Sequence, residues 1–580
     1  MNAERLLVLF DRVSEAPDAV PTLRRFVLDL AVRGKLVEQD LADEPAAELL
    51  RRIQEEKTRR IAAGEYRKDK AANSDPDDPP YALPSSWRWS RLSEIGFLNP
   101  RVSAPSDTDA GFVPMPLIAA EHGVANGHEP KPWGQISSGY THFAEGDVGL
   151  AKITPCFENG KSTVFRGLPN GIGAGTTELH IVRPVLVDPD FILLFLKSAH
   201  FIECGIPRMT GTAGQKRVPS DYFANSPFPL PPLAEQRRIV ARVDELMALC
   251  NQLEAARADL EHRRDRLTAA TFADWTASSS SRQQEGLAQE VAPLLALTSR
   301  ASQISQLRQT ILNLAIRGRL VRQGSTGESV AELLHRIAVE KALLTRAGEI
   351  RKEKPLDPVT AENQPFCIPR DWSWVRLDQL TRLITKGSSP KWQGVSYVTP
   401  ADGLLFITSE NVGNYHLRKL GDLKYVEKRF RDVEPRSMLA KGDILMNLVG
   451  ASIGRTALYD LDESANINQA VALVRLIDVP QGPLPSYLLH YFNSPASVSL
   501  MLKSRVATAQ PNMSLADARE FPIPLPPLAE QHRVVARVDE LMALCDQLEA
   551  SLAAADTANA GLLDAILHEA LNGPPRAEAA

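Results

Sequence analysis

The sequence predicts an α+β protein in which two globular α+β modules are joined by two long, antiparallel, coiled-coil-like helices in a pseudo-twofold internal repeat. Three observations predict this class. The 27 residues that begin at Pro229 recur from Pro524 with only three differences. Each copy opens with a proline pair and continues with apolar residues at helical spacing. Short strand-like runs separated by Gly, Pro and Asn precede each copy.

The repeat extends beyond these helices. Residues 23–57 align without a gap to 307–341, with 19 of 35 positions identical, and LPSSWRWSRLSEI from residue 83 matches IPRDWSWVRLDQL from residue 368. The stretches between these landmarks and the helices have diverged, apart from echoes such as GDVGLAKI beside GDILMNLV. A constant frame that carries two unlike inserts indicates one task performed on two different targets.

We therefore divide the chain into seven segments. They are an N-terminal helical arm (1–86), a first module (87–228), a central long helix (229–275), a Ser-rich flexible linker (276–303), a second helical arm (304–371), a second module (372–523), and a C-terminal long helix with its tail (524–580).

Each arm is predicted to be a helical hairpin. Helical spacing in residues 23–57 and 307–341 is interrupted at Gly34 and Gly318, and glycine is favoured immediately after a helix end. We expect the arms to pack against the long helices or against a partner subunit.

The modules combine strands with a helix. In the first, GFVPMPLI, DVGLAKI, STVFRG and ELHIVRPV are rich in β-branched and aromatic residues and are bounded by turn formers. One helix is predicted over 191–205, and its counterpart in the second module is 486–504.

The long helices are predicted to begin near Leu233 and Leu528, directly after proline pairs, and the first to run to about Phe272. Apolar residues alternate at steps of four and three, which is the seam of a coiled coil. Two matching seams favour antiparallel pairing of the helices, although packing of each helix on its own module stays open. The seam residues are Ile239, Val243, Leu246, Cys250, Leu253, Leu260, Leu267, Val534, Val538, Leu541, Cys545, Leu548, Leu552, Leu562 and Ile566.

Composition excludes several classes of protein. No run approaches the roughly 18 apolar residues of a membrane span, and charges in the opening MNAERLLVLFDRV exclude a signal peptide, so we expect a cytoplasmic protein without membrane contact. The five cysteines show no C-x-x-C pair, and we expect neither a metal site nor a bound cofactor in this chain. A net charge of -5 argues weakly against a nucleic-acid binder that works unaided.

Basic and amide side chains nevertheless cluster on loops of both modules. Such side chains neutralise phosphates or bond base edges, although any single one is more often plain solvated surface. The candidate DNA contacts are Lys152, Lys161, Arg208, Gln215, Lys216 and Arg217 in the first module, and Lys386, Lys391, Arg418, Lys419, Lys428, Arg429, Arg431, Arg505, Gln510 and Asn512 in the second.

One motif points to a different function. Asp78-Pro79-Pro80-Tyr81 spells the D-P-P-Y signature with which amino-methylating DNA methyltransferases hold a target base. Its surroundings indicate a linker rather than a strand followed by a Gly-rich turn, and the aligned second copy reads Asn363-Gln364-Pro365-Phe366. We therefore expect no catalytic residue here.

The order of module, helix, module and helix resembles the DNA specificity subunit of type I restriction-modification systems, over nearly the whole chain. The most specific features are two P-L-P-P-L-A-E-Q helix starts, each followed by R-[IV]-V-x-R-V-D-E-L-M, and two P-x-x-W-x-W-x-x-L entries. The long helical arms are less typical of that family.

The resemblance implies that each module is a target recognition domain that reads one half of an asymmetric, bipartite target in double-stranded DNA. It implies that the helices set the spacing and dock two modification subunits, which carry S-adenosylmethionine, while restriction motor-nuclease subunits carry ATP and Mg. Two alternatives are a self-contained adenine DNA methyltransferase, which would itself bind S-adenosylmethionine, and a coiled-coil scaffold, whose modules would show no sequence preference.

Overall fold

The structure is a computed structural model that describes residues 16, 18–66, 80–212, 214–277, 298, 300–324, 327–352, 354–480, 482, 484–503 and 512–572. The chain divides into two compact units, of which one comprises Met1–Leu260 with Ala555–Ala580 and the other Glu261–Ala554. The first unit holds the first arm and module, and the second unit holds the second arm and module. Most of the predicted linker, 276–303, lies outside the described residues.

Two four-stranded sheets form each module, in a mixed helix-and-sheet fold as predicted. The first module has sheets in the orders β2-β9-β6-β7 and β4-β3-β8-β5, and a two-stranded sheet β1-β10. The predicted strand runs fall on β3, β6, β7 and β9. The strands are β1 (Arg88–Arg91), β2 (Gly96–Leu98), β3 (Asp109–Val113), β4 (Glu129–Pro132), β5 (Thr141–Ala144), β6 (Val148–Ala151), β7 (Ser162–Val164), β8 (Ile172–Gly175), β9 (Leu179–Pro184) and β10 (Pro227–Leu230).

The second module repeats most of this topology although its sequence has diverged; the second sheet differs at its edges, where β5 pairs with β8 in the first module and β13 pairs with β15 in the second. Its sheets are β12-β19-β16-β17, β13-β15-β14-β18 and β11-β20, and the parallel pair β14 with β18 corresponds to β3 with β8. The strands are β11 (Ser373–Arg376), β12 (Thr381–Lys386), β13 (Tyr397–Val398), β14 (Gly403–Ile407), β15 (Lys424–Glu427), β16 (Ile444–Asn447), β17 (Thr456–Leu458), β18 (Ala465–Ile467), β19 (Val471–Leu476) and β20 (Pro522–Leu525).

The helices also recur in matching order. Those of the first copy are α1 (Ala19–Val32), α2 (Ala46–Ala62), α3 (Leu92–Ile95), α4 (Trp133–Ile136), α5 (Pro189–Lys197), α6 (Ala199–Gly205), α7 (Ser220–Asn225) and α8 (Leu233–Ala277). Those of the second copy are α9 (Ala301–Ile316), α10 (Val330–Arg346), α11 (Leu377–Leu380), α12 (Phe430–Val433), α13 (Pro485–Phe492), α14 (Pro495–Lys503), α15 (Leu515–Glu520) and α16 (Leu528–Asn572). No helix in the described part of the chain is long and apolar enough to cross a membrane.

One sequence expectation for the modules is wrong. The single helix predicted over 191–205 is two helices, because Ser198 takes an extended conformation and its side chain accepts a hydrogen bond from the Phe201 backbone N–H, which starts a new helix. The predicted counterpart over 486–504 is likewise split, into α13 and α14. Hydrophobic spacing predicted the apolar face correctly. It did not predict the break, because the break depends on a hydrogen bond to a serine side chain, which does not alter the apolar pattern.

Each long helix is locked to its module by the repeated Ala-Glu-Gln. The Gln236 side chain accepts a hydrogen bond from the Asp188 backbone N–H at 2.9 Å and donates to the Pro231 carbonyl at 2.9 Å. Gln531 repeats this pattern with Leu484 at 3.0 Å and Pro526 at 2.9 Å. Because both glutamines are buried, their paired contacts explain why these residues recur in the two copies.

Each module contains an equivalent buried ion pair. Asp147 accepts the Ala144 backbone N–H at 2.7 Å and two hydrogen bonds from Arg183 at 2.7 Å each. Asp443 receives equivalent bonds from Ala440 and Arg475. The Gly-Asp dipeptide that both modules contain therefore supplies the aspartate of a bidentate ion pair present in each module.

The arms pack against the long helices, which is one of the two positions that the sequence left open. In the first unit Arg24 of α1 forms an ion pair with Glu254 of α8 at 2.6 Å. In the second unit Arg308 of α9 pairs with Glu549 of α16 at 2.7 Å. Gly34 and Gly318 follow the first helix of each arm with φ of 66° and 67°, which confirms the predicted helix ends.

The long helices begin at Leu233 and Leu528, as predicted, and each has 45 residues, about 68 Å. Burial along α8 follows the 3.6-residue period of a straight helix rather than the 3.5-residue period of a supercoil. Buried and half-buried residues that follow this period are Ile239, Val243, Met247, Cys250, Leu253, Arg257, Glu261, Asp265, Thr268 and Phe272, with Leu246 and several others half-buried beside them.

The predicted seam is consequently wrong at two positions. Leu260 is 49% exposed and Leu267 is 55% exposed. A heptad repeat drifts by about 20° per heptad relative to a straight helix, so a seam that starts at Ile239 has rotated by about 80° when it reaches Leu267. Both leucines leave the buried face for this reason.

The remaining seam residues pack within the two units. Ile239 and Val243 belong to the core of the first module, which is the alternative that the sequence left open for this part of the helix. Direct pairing of the two long helices stays a prediction. The other predicted seam residues are half-buried at Leu246 and Leu253, buried at Cys250, part of or packed on the core of the second unit at Val534, Val538, Leu541, Cys545, Leu548 and Leu552, and packed with α1 at Leu562 and Ile566.

Candidate nucleic-acid interface

A polar cleft opens at one edge of the two sheets of the first module. Its volume is about 520 Å³, and it is lined by the segment after β2, the loop before β5, and the ends of β6 and β9. Lys152 lies at the end of β6, Arg101 follows β2, and Tyr140 precedes β5. This combination of cations and a half-exposed aromatic ring suits phosphate and base contacts.

The backbone brings four predicted residues together beside this cleft. The Lys216 carbonyl accepts a hydrogen bond from the Thr154 N–H at 2.9 Å, and the Lys152 carbonyl accepts one from the Val218 N–H at 2.8 Å. The loop that carries Gln215, Lys216 and Arg217 therefore runs beside Lys152, which is the one of the four that lines the cleft.

Arg217 has a structural partner. Its guanidinium donates two hydrogen bonds to Glu178, at 2.8 and 2.9 Å, and a third to the Gln215 carbonyl at 3.1 Å. The hydrogen bonds and charge of Arg217, together with the nearby charge of Lys152, hold the pKa of the Glu178 carboxyl below its usual range. Arg217 thus fixes the loop, and the exposed Gln215 and Lys216 side chains are presented to solvent.

Two other candidates of the first module also have internal contacts. The Lys161 ammonium donates to the Met115 carbonyl at 3.3 Å, and the Arg208 guanidinium lies over the Tyr222 ring at 5.4 Å. Lys161 is half-buried, whereas Arg208 is exposed. Contact of either residue with DNA stays a prediction, and of the two only Arg208 is exposed to an approaching phosphate.

His142 ties the two walls of the cleft together. Its Nδ1 accepts the Val102 backbone N–H at 3.3 Å, and its Nε2 donates to the Ser137 carbonyl at 3.0 Å. Burial lowers the pKa of this imidazole, which keeps it neutral and preserves that arrangement near neutral pH. Sequence reasoning missed Arg101, Tyr140 and His142, because the Ser-Ser-Gly-Tyr run was its only signal and such turns are common without function.

The described candidates of the second module are exposed, and apart from Asn512 they lie at or after the ends of β12, β14 and β15. Arg418 donates to the Glu410 carbonyl at 2.9 Å, and Lys419 lies 3.7 Å from the Glu410 carboxylate. Arg429 pairs with Glu427 at 2.6 Å, and Arg431 lies 3.7 Å from Asp432. The candidates without a carboxylate partner among the described residues are Lys386, Lys391 and Lys428.

The segment that returns to the second module's sheet occupies the same place as the Gln-Lys-Arg loop of the first. Asn512 bridges to Val449, and the Met513 N–H donates to the Leu448 carbonyl at 2.9 Å, as Val218 does to Lys152. Arg505 and Gln510 lie outside the described residues. The two modules therefore present unlike side chains at one shared topological position.

Trp392 is a further candidate that sequence reasoning missed. Its side chain is 74% exposed, on a short turn at Pro390–Gln393 beside Lys391. The turn is held in place because Gln393 donates to the Ser388 hydroxyl at 3.0 Å and to the Glu434 carboxylate at 2.8 Å. A rigidly displayed indole beside a lysine suits stacking on a base or insertion at a base step.

Tyr81 of the D-P-P-Y motif lies at a packing position. The Tyr81 hydroxyl donates to the Val32 carbonyl at 3.2 Å, and the Arg33 guanidinium lies over its ring at 4.9 Å. In the second copy, Phe366 receives Arg317 over its ring at 4.6 Å. Packing against an arginine of the arm accounts for the aromatic residue at this position in both copies. A base-holding role would account for Tyr81 only, because the second copy lacks the D-P-P-Y motif. Asp78 and Pro79 lie outside the described residues.

Sequence and structure comparisons identify similar proteins. The family model described as "Type I restriction modification DNA specificity domain" matches residues 369–555. The "Type I restriction enzyme EcoEI specificity subunit" of Escherichia coli is 37% identical over 577 residues, covering 95% of this chain and 94% of that protein. The corresponding EcoAI subunit is 35% identical over 566 residues, covering 95% and 94%. A crystal structure of the "HsdS subunit from Thermoanaerobacter tengcongensis" aligns with 22% identity and a TM-score of 0.44, covering 85% of this chain and 98% of that one.

Proposed function

Because this chain belongs to the family of type I restriction-modification specificity subunits, we propose that each of its modules reads one half of an asymmetric, bipartite DNA target. The observation that carries this proposal is the contrast between frame and contents. Both modules share the sheet order β2-β9-β6-β7 or its equivalent β12-β19-β16-β17, one buried aspartate-arginine pair and one glutamine that bonds the module to a long helix. Their sequences differ before the return to this sheet, where the first module reads Gly-Gln-Lys-Arg and the second reads Gln-Pro-Asn.

The long helices are proposed to set the gap between the half-sites and to dock two modification subunits. Leu249 of α8 is 51% exposed and Leu544, its counterpart in α16, is 36% exposed. Exposed leucines at equivalent positions of two repeats are suited to two copies of one apolar partner surface. Leu260 and Leu267 extend the exposed apolar surface of α8.

The chain is proposed to be the non-catalytic, cytoplasmic component of its complex. S-adenosylmethionine would then be bound by the modification subunits, and ATP with Mg by the restriction subunits. The packing role of Tyr81 supports this assignment, since it accounts for the methyltransferase-like motif without catalysis.

Exchange of one module tests the proposal. The strands β1 and β10 close the first module with the register Arg88 to Leu230. Residues 92–228, which include the first two residues of β10, can be replaced by the corresponding segment of another specificity subunit. We expect methylated adenines, mapped in DNA from cells that carry the variant with its modification partner, to show one altered half-site and one unaltered half-site.

The matched exchange of residues 377–523, which include the first two residues of β20, should alter the other half-site only. A change of both halves after either exchange, in a complex that still assembles, would show that the modules do not divide the target between them.

A further inference from the structure

A second polar cavity lies in the second unit, away from the loops considered above. Its volume is about 430 Å³, and it is enclosed by α10 of the second arm, the segment that follows this helix, α11 and the first half of β12. Arg436 and Arg519 complete its lining. The cavity is therefore built jointly by the arm and the module.

Cations dominate this lining. Seven basic side chains and one carboxylate, Asp378, line the cavity. Asp378 is shared by Lys341 at 3.1 Å and Arg519 at 2.8 Å, and Arg382 lies 3.3 Å from Glu349. The four other cations have no carboxylate partner within the described residues: Arg351, Lys352, Lys354 and Arg436, all exposed.

Cations gathered in one cavity repel one another, and a bound anion relieves that repulsion. We propose that this cavity, lined by Arg351, Lys352, Lys354 and Arg436, binds phosphate groups of the DNA backbone beside the half-site read by the second module. The inference rests on the proposed function and adds to it a phosphate site shared by the arm and the module.

Two observations favour DNA as the source of the phosphates. The lining contains no Phe, Tyr or Trp, the anchors on which protein interfaces depend. Strand β12 also runs from the cavity at Thr381 to the candidate contact Lys386, roughly 17 Å for its six residues. A single duplex backbone can span that distance, about five base pairs.

The repeat supplies independent support. The segment Glu-Ile-Arg-Lys-Glu-Lys from residue 349 recurs as Glu-Tyr-Arg-Lys-Asp-Lys from residue 65, with the same three cations. Residues 67–70 lie outside the described part of the chain, so only their sequence enters the comparison. One such basic sequence in each copy of the repeat fits phosphate contacts made once for each half-site.

The test uses the complete complex of this chain with its modification subunits. The triple variant Arg351→Ala, Lys352→Ala, Lys354→Ala should bind DNA at least about tenfold more weakly at 0.15 M salt. The slope of log affinity against log salt concentration should fall in magnitude by about two to three, for a target duplex and a scrambled duplex alike. The methylated sequence should not change, because phosphate contacts carry no base information.

A matched control removes three arginines that already have carboxylate partners. Arg51 pairs with Glu48 and Glu55, Arg52 with Glu44, and Arg59 with Glu56. Their replacement by alanine should leave the salt slope within about half a unit of that of the unaltered complex.

Other outcomes would overturn the inference. An unchanged slope in the basic triple variant refutes the phosphate site while leaving the proposed function intact. Loss of modification subunits, seen by light scattering, would assign the cavity to an acidic protein surface. Loss of ATP binding with normal DNA binding would assign it to a free nucleotide. If the unaltered complex shows no sequence preference, the proposed function itself fails.

Discussion

At the scale of single residues, the two copies conserve what holds a module together and vary what a module presents. Asp147 with Arg183 and Asp443 with Arg475 are the same buried pair in two diverged sequences. A buried charge without its partner is strongly destabilising, which preserves both halves of such a pair. No such constraint acts on exposed loop residues such as Lys216 or Trp392, so these can differ between the copies.

We predict that Asp147→Asn lowers the free energy of unfolding of the first unit by about 3–5 kcal/mol, because it leaves the Arg183 guanidinium, 18% exposed, without its counter-charge. The measurement is denaturant-induced unfolding of the full chain. The control is Arg166→Ala, which breaks the more exposed pair with Asp190 and should cost less than about 1 kcal/mol. Equal effects of the two substitutions would contradict a structural role for the buried pair.

At the scale of secondary-structure elements, burial along α8 follows a straight helix, and this decides which of its leucines are exposed. The apolar edge predicted from heptad spacing is buried at Ile239 and Val243, in the core of the first module, whereas Leu260 and Leu267 lie outside the buried face; pairing of the two long helices stays a prediction. The face that turns away from the arm and module carries Leu249 in α8 and Leu544 in α16.

We predict that Leu249→Asp or Leu544→Asp reduces the number of bound modification subunits from two to one, and that the double variant binds none. A carboxylate in an apolar interface carries an uncompensated desolvation cost, so affinity should fall at least about 100-fold per site. Light scattering of the reconstituted complex gives the stoichiometry.

Leu249→Met and Leu544→Met are the matched controls, since they keep an apolar side chain of similar volume and should keep both subunits. Thermal unfolding of every variant should match that of the unaltered chain, because both positions are exposed. Full assembly of the double aspartate variant would rule out docking at these leucines.

At the scale of the whole molecule, the two modules are attached to the repeated segments of the chain in the same way. Both modules are inserted between strands that pair in the same register, Arg88 with Leu230 and Ser373 with Leu525, and both are fixed by a glutamine at the head of a long helix. Equivalent attachment means that the two positions are interchangeable for a module. The asymmetry of the DNA target then comes only from the difference between the modules.

We predict that a chain in which a second copy of residues 92–228 replaces 377–523 recognises a palindrome. The sequence repeat predicts a pseudo-twofold relation of the modules, and identical readers so related impose their symmetry on the DNA. The target should then become an inverted repeat of the first half-site around an unread gap. Mapping of methylated adenines checks this outcome. A direct repeat, or retention of the original second half-site, would refute the pseudo-twofold relation of the modules.

The sequence by itself determined the repeated frame, the starts of both long helices at Leu233 and Leu528, the strand runs of the modules and the glycine-marked ends of the arm helices. These features depend on local patterning and on proline and glycine geometry, which are readable along the chain. It did not predict the break at Ser198, which depends on one side-chain hydrogen bond.

Only the tertiary structure decided which side chains meet. The segments of Lys152 and Lys216 pair through their backbones, and Arg217 donates hydrogen bonds to Glu178. Arg351 and Arg436 line one cavity. In each case, pairing or packing connects segments that are distant in sequence. The tertiary structure also decided that Leu260 and Leu267 are exposed, since a small angular drift per turn accumulates along a helix into a change of face. A short sequence pattern specifies neither contacts between distant segments nor a rotation that accumulates over several helical turns. The candidate sites of this protein depend on such long-range contacts.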